Sequence, residues 1–289
     1  MKPPDFLYYD PQSVAEAVGL LASLENARLL AGGQSLMALL NMRYAFPDHL
    51  IDLNRIDALA GITREGDEIR IGAMTRQRDI EDSALVRDGL PLLIEALSHV
   101  GHRQTRNRGT IGGSLCHLDP AAEQVAVANN LDAVVEIAGI RGERRMPVAE
   151  FTVGFMTTAL EPDEMVTAVR FPILPKGHGF SFMELARRHG DFAIVSVAAT
   201  LVYDGAGKVE RAAVTLSGVD AVPLRMVEAE AMLAGRVPDE ALVHQAARTA
   251  AGIEALEDAM VPSWYRRQVA ETMMRRALVA ADARANKGH

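Results

Sequence analysis

Apolar residues along the first half of the chain change period repeatedly, which predicts short helices and strands in alternation. Ser13-Val14-Ala15-Glu16 has the spacing of a capping box ahead of Val18, Leu20, Leu21 and Leu24, so a helix is expected to start near Ser13. A strand over Arg28 to Ala31 and a helix over Leu36 to Met42 follow, and Ile51-Asp52-Leu53 reads as a strand. Ile62 to Ala73 reads as a hairpin turning at Glu65-Gly66-Asp67, with Ile69 and Ile71 alternating along one arm. The pattern then predicts an amphipathic helix over Leu92 to Val100, a buried helix over Ala121 to Leu131 and a buried strand over Ala133 to Ala138.

The second half is patterned differently. Three strand-like runs, Phe180 to Ala186, Ile194 to Tyr203 and Val209 to Leu216, precede three helical ones, Arg225 to Leu233, Asp239 to Gly252 and Trp264 to Asp282. The turn Asp204-Gly205-Ala206-Gly207 joins the last two strands as a hairpin. Strands followed by helices predict an α+β unit. Prolines and glycines between Pro172 and Gly179 mark a linker, dividing the chain into residues 1–175 and 176–289. The tail 285–289 is expected to fray.

Composition narrows the function. The 289 residues are 49% hydrophobic and carry a net charge of -8, enough for a substantial core and without the positive field that nucleic acid or an anionic membrane requires. One cysteine, Cys116, permits no internal disulfide and no iron–sulfur cluster held by this chain alone. The N-terminus has no apolar leader and no apolar stretch is long enough for a membrane helix, so a cytoplasmic protein is expected.

The candidate chemistry lies in two glycine-bearing loops, Ala31-Gly32-Gly33-Gln34-Ser35-Leu36 and Thr110-Ile111-Gly112-Gly113-Ser114. Backbone without Cβ atoms approaches phosphate oxygens closely and turns its N–H groups toward them, and the hydroxyls of Ser35, Thr110 and Ser114 add donors. Either loop alone reads more readily as a tight turn; as a pair they describe a clamp on a diphosphate. No nucleophile-and-base constellation is present, and no GxGxxG follows the first strand. Cys116 and His117 lack the second pair a zinc site needs. His99, His102, Arg103, Arg106 and Arg108 form a basic cluster that reads as a solvated face, a diphosphate neighbour or a partner-facing patch.

Further blocks accompany the loops: Phe6-Leu7-Tyr8 with Pro11 and Ser13, Ile71-Gly72-Ala73-Met74-Thr75, Arg106-Asn107-Arg108-Gly109, Asp119-Pro120-Ala121-Ala122-Glu123, and Arg187-Arg188-His189-Gly190-Asp191-Phe192-Ala193. In this order they resemble the FAD-binding medium subunit of the molybdenum hydroxylases, the xanthine dehydrogenase and carbon monoxide dehydrogenase family. The resemblance implies a two-part FAD-binding domain of the PCMH (vanillyl-alcohol-oxidase-like) type, with subdomains of about 1–57 and 58–175, and a C-terminal antiparallel sheet with helices. It implies FAD held at Ala31, Gly32, Gly33, Gln34, Ser35 and Leu36 and at Thr110, Ile111, Gly112, Gly113 and Ser114, the last replacing an Asn common in relatives.

Three more contacts rest on the resemblance beside plainer readings. Glu123 reaches the ribityl chain or is a first-turn glutamate favoured by its helix. Thr75 touches flavin or caps a helix. Phe192 lies at the ring, where relatives often have Tyr, or is a core phenylalanine. The resemblance further implies no catalytic acid or base and no metal ligand in this chain. A large partner subunit would carry the molybdopterin cofactor and a small one two [2Fe-2S] clusters, in a dimer of heterotrimers. Two rivals stand beside this: a self-contained oxidase of the same architecture, whose usual His or Cys tether is absent from residues 28–36, and a non-catalytic nucleotide-binding or assembly subunit.

Overall fold

The computed structural model describes residues 1–285; residues 286–289 of the tail expected to fray lie outside them. The first subdomain is β1 (Leu7–Tyr9), α1 (Val14–Ser23), β2 (Ala27–Leu30), α2 (Leu36–Met42) and β3 (His49–Asp52), its parallel strands ordered β1-β3-β2. The start of α1 is as expected: Ser13 Oγ accepts from the Glu16 amide at 3.2 Å, and the Glu16 carboxylate accepts from the Gln12 amide at 2.8 Å.

The second subdomain holds β4 (Ile62–Glu65), β5 (Glu68–Gly72), α3 (Gln77–Asp82), α4 (Ala84–Gly89), α5 (Pro91–Leu97), α6 (Arg103–Arg108), α7 (Ile111–His117), α8 (Glu123–Asn130), β6 (Val134–Gly139), β7 (Gly142–Pro147), α9 (Val148–Phe151), β8 (Thr152–Gly154), β9 (Thr157–Thr158) and β10 (Met165–Pro172). Its main sheet runs β4-β5-β10-β6-β7, so β10, the last strand in sequence, occupies the centre. Ile69, Ile71, Val135, Ile137, Val169 and Phe171 from this sheet join α5, α7 and α8 in one buried cluster.

An ionic ladder crosses the same sheet. Arg170 on β10 is buried and reaches Glu136 on β6, Glu65 on β4 and Glu68 on β5, with nitrogen–oxygen distances of 2.5, 2.5 and 3.1 Å. Burial pushes the Glu136 carboxyl up, but hydrogen bonds from Arg170 and Arg70 outweigh it and hold the group below its ordinary value.

The C-terminal domain contains β11 (Gly179–Leu185), β12 (Val195–Tyr203), β13 (Val209–Ser217), β14 (Leu224–Arg225), α10 (Val227–Leu233), α11 (Glu240–Arg248) and α12 (Ser263–Arg284), its antiparallel strands ordered β11-β12-β13-β14. Strand β12 is buried on both faces. Val195, Val197, Ala199 and Leu201 pack on the three helices, while Ala198 joins the core of the first domain. Asn130, at the end of α8, closes the seam: its amide donates to the carbonyls of Ala198 and Ala213, and its oxygen accepts from Thr200.

Removing one partner from a buried ionic group leaves charge uncompensated. Arg170→Met should therefore destabilise the chain by about 3 kcal/mol at neutral pH. A carboxyl held low in the folded state contributes stability above its unfolded value, near 4.5, and loses it as pH falls through the folded value. Urea titrations of wild type and variant should accordingly converge in acid.

Candidate functional site

The two glycine loops meet backbone to backbone. A Cβ placed on Gly32 would lie 2.2 Å from the Arg108 carbonyl oxygen and 2.9 Å from the Gly109 Cα, so only glycine permits this approach. Gly33 has φ +75°, a left-handed conformation that glycine adopts without strain. Glycine thus serves the first loop in two ways, contact with the second loop at Gly32 and chain reversal at Gly33.

The loops differ in what their amides do. Among the described residues, no hydrogen bond engages the backbone N–H groups of Gly32, Gly33, Gln34, Ser35 or Leu36, five consecutive donors. The Ser35 hydroxyl does not cap α2 either. In the second loop the donors are committed: Ile111 to the Thr75 carbonyl at 3.3 Å, Gly112 to the Ala73 carbonyl at 2.9 Å, Gly113 to Thr110 Oγ1 at 3.1 Å and Ser114 to the Thr110 carbonyl at 3.1 Å. Ile111 to Ser114 form the first turn of α7, capped by Thr110, where the sequence suggested an open loop. The amides of Gly112, Gly113 and Ser114, expected as donors to a diphosphate, thus have protein acceptors here. Gly112 instead serves close packing, since its Cβ would lie 2.6 Å from that of Ala73.

Side chains that the sequence did not single out bind the loops together. Asn54 donates to the Ala31 carbonyl at 3.0 Å and accepts from Arg76 at 2.5 Å, and Arg76 also donates to the Arg108 carbonyl at 2.6 Å. Asp52 positions Asn54 through its backbone amide at 2.9 Å and accepts from the Tyr8 hydroxyl at 2.7 Å. Burial, and then Arg108, lower the Arg76 guanidinium from its ordinary range. Asp79 and Asp52 act on Arg76 in the opposite sense, so its charge is partly balanced within the protein. The only sequence signal for this network was an Asp-Leu-Asn run after a strand.

The remaining candidates fall in different places. Thr75 is buried but caps no helix: α3 begins at Gln77 after Arg76, and the Thr75 hydroxyl exchanges hydrogen bonds with the Gly61 backbone at 3.0 and 3.1 Å. Phe192 is 75% exposed, which overturns the core reading. Glu123 opens α8; burial pushes its carboxyl up to about 8 and Glu184 and Asp119 repel it, against a hydrogen bond from its own amide. In the basic cluster, Arg106 is tied to Glu81 at 3.1 Å and to the Val100 carbonyl at 2.9 Å. Burial pushes the Cys116 thiol up to about 12, so it remains protonated. Among the described residues no three His, Cys, Asp or Glu side chains gather as metal ligands, and no helix is long and apolar enough to cross a membrane.

Residues 4–174 match the family described as the FAD binding domain in molybdopterin dehydrogenase, and residues 180–281 match the carbon monoxide dehydrogenase flavoprotein C-terminal domain. The chain belongs to the FAD-binding medium subunits of the molybdenum hydroxylases. Similar medium subunits span essentially its whole length. Subunit alpha of the 6-hydroxypseudooxynicotine dehydrogenase complex of Paenarthrobacter nicotinovorans is 40% identical over 99% of this chain and 97% of its own. The carbon monoxide dehydrogenase medium chain of Afipia carboxidovorans is 39% identical over 99% of both. Among solved structures, carbon monoxide dehydrogenase from Hydrogenophaga pseudoflava superposes with a TM-score of 0.96 at 40% identity, covering 99% of this chain and 100% of that one. Quinoline 2-oxidoreductase from Pseudomonas putida 86 superposes at 0.94 and 34% identity over the full length of both.

Because the Gly32 contact is backbone on backbone, neither side can yield by rotating a side chain. Gly32→Ala should lower stability by about 1–3 kcal/mol, as overpacking does. Gly19→Ala, where an added Cβ meets nothing within 4 Å, should cost far less in the same thermal melt.

Proposed function

We propose that this chain is the electron-relaying FAD subunit of a molybdenum hydroxylase, with the FAD diphosphate seated on residues 31–36. The observation that carries this reading is the run of five uncommitted amides from Gly32 to Leu36, beside the free Ser35 hydroxyl and the Arg76 guanidinium that bridges the loops. Oriented amides stabilise phosphate oxygens without needing a positive side chain in direct contact. That donor set fits a diphosphate.

The second loop acts as a buttress. Thr110, Ile111, Gly112 and Gly113 fix the position of the first loop, and Ser114, half-buried on α7, presents its hydroxyl as the direct contact. Glu123 and the Gly190–Phe192 segment face the ring end, and Thr75 holds the Gly61 turn behind the junction. In this reading residues 1–175 are the FAD-binding domain, with subdomains of about 1–57 and 58–175, and 176–289 the C-terminal domain. When bound, the flavin accepts electrons singly and passes them on in pairs. The chain's own part is to hold it, exclude water from its diphosphate and set its potential by hydrogen bonds.

Medium chains are by their names parts of larger assemblies, and the large and small partners supply the molybdopterin cofactor and two [2Fe-2S] clusters. The assembly is read as a cytoplasmic dimer of heterotrimers. The organic substrate meets no residue of this chain.

The purified chain should bind one FAD, released by mild acid, and should not take FMN in its place. Gly33→Val puts a β-branched side chain at a left-handed position within the amide run and should weaken FAD binding about tenfold or more, the loss of one or two hydrogen bonds to a charged group. Fluorescence titration reads both effects. Covalent flavin, or unchanged affinity in the variant, contradicts the reading.

A further inference from the structure

The C-terminal sheet presents to the first domain a row of buried polar groups that lack protein partners. Glu184 on β11 pairs in register with Ser196 on β12, and Ser196 with Ser217 on β13, so all three project from one face. It is the face of Ala198 and Thr200, which meets the first domain. Ser196 and Ser217 are 0% and 1% exposed, and their hydroxyls and one Glu184 carboxyl oxygen have no hydrogen-bond partner. The side-chain oxygen of Gln124 on α8 is likewise buried without one. Native structures rarely leave so many orphans together unless the place has a use.

Glu123 faces this row. It lies two helical turns before Asn130, on the stripe of α8 that meets the sheet, an advance of about 10 Å. From Thr200, the Asn130 partner, back to Ser196 is about 13 Å along β12. The Gly218 amide, next to Ser217, donates to the Pro120 carbonyl at 2.8 Å, which sets the start of α8 over this end of the sheet, and Glu184 repels the charged form of Glu123. Asp119, in the turn before α8, is the other charge acting on Glu123. His117, at the end of α7, interacts with Asp119, and burial lowers it from its ordinary value. Glu95 on α5 is taken by Arg284 at 2.6 Å, His99 just beyond α5 packs on Phe182 of β11 and is lowered by burial, and β12 and β13 place Ser196 and Ser217 beside Glu184.

We propose that Glu123 and Glu184 form a proton-holding carboxyl pair across the domain seam, which takes up a proton when the flavin beside it accepts an electron pair. The proposal rests on the FAD reading above. The pair lies between the second glycine loop, joined to Glu123 through α7, and the Arg187–Phe192 segment that follows Glu184. The reductant supplies the electrons and water the proton, and the only bond formed in the pair is one carboxylic O–H. Burial places the two carboxyls at about 8 and about 7, within reach of a neutral solution. Negative charge added nearby on reduction draws the proton in.

The test uses the full chain in two states. With FAD bound, dithionite titration across the interval from about 7 to about 8 should give a midpoint potential whose pH slope is steeper in wild type than in the double variant E123Q/E184Q. One extra proton per electron pair is a tenfold factor per pH unit, about 30 mV; equal slopes overturn the proposal. With FAD removed, thermal unfolding reads the pair itself. A carboxyl that holds its proton more tightly when folded makes stability fall as pH rises from 4.5 to about 8, and the glutamines should flatten that fall. An unchanged curve means that there is no such pair, whether or not FAD binds. If the double variant does not fold, the infrared C=O band of the wild-type acid decides: it should vanish between neutral and alkaline pH, and its absence at neutral pH overturns the proposal.

Discussion

The junction of the two glycine loops depends on one contact, the Arg108 carbonyl lying where a Cβ of Gly32 would be. Through it the two subdomains touch along their backbones, and the neighbouring groups follow. Arg76 can reach Asn54 and the Arg108 carbonyl together only because the loops are this close. With that side of the junction satisfied by protein, the amides of residues 32–36 are left without protein acceptors. Any side chain at position 32 would part the loops and remove the floor under the open donors.

The elements that hold this contact were legible in the sequence to different degrees. The Ser13 cap, the hairpin at 65–68 and the three long strands of the second domain carry strong local signals, and the structure has them. The central strand β10 escaped notice because its apolar run contains Arg170, a charge that only partners on three other strands make tolerable. The α7 turn escaped because glycines in pairs favour loops, while its cap by Thr110 and its anchors at Ala73 and Thr75 lie outside the segment or depend on tertiary approach. Asn54 and Arg76 show the same limit: neither residue type signals a role until folding brings positions 31, 54, 76 and 108 together.

For the two loops, paired glycines drew attention to segments that meet in the fold, but the sequence assigned them one shared role. The structure gives them different ones. The first offers open donors, and the second spends its donors on the protein and lends rigidity. This asymmetry explains how glycine can be needed in both loops for unlike reasons, chain reversal at Gly33 and close packing at Gly32 and Gly112.

Amide hydrogen exchange, with and without FAD, tests this division most directly. The account predicts that the amides of residues 32–36 exchange rapidly in the free chain and slow sharply when FAD is added, while those of residues 111–114 are already protected and change little. New protection confined to residues 111–114, with 32–36 unaffected, would contradict it.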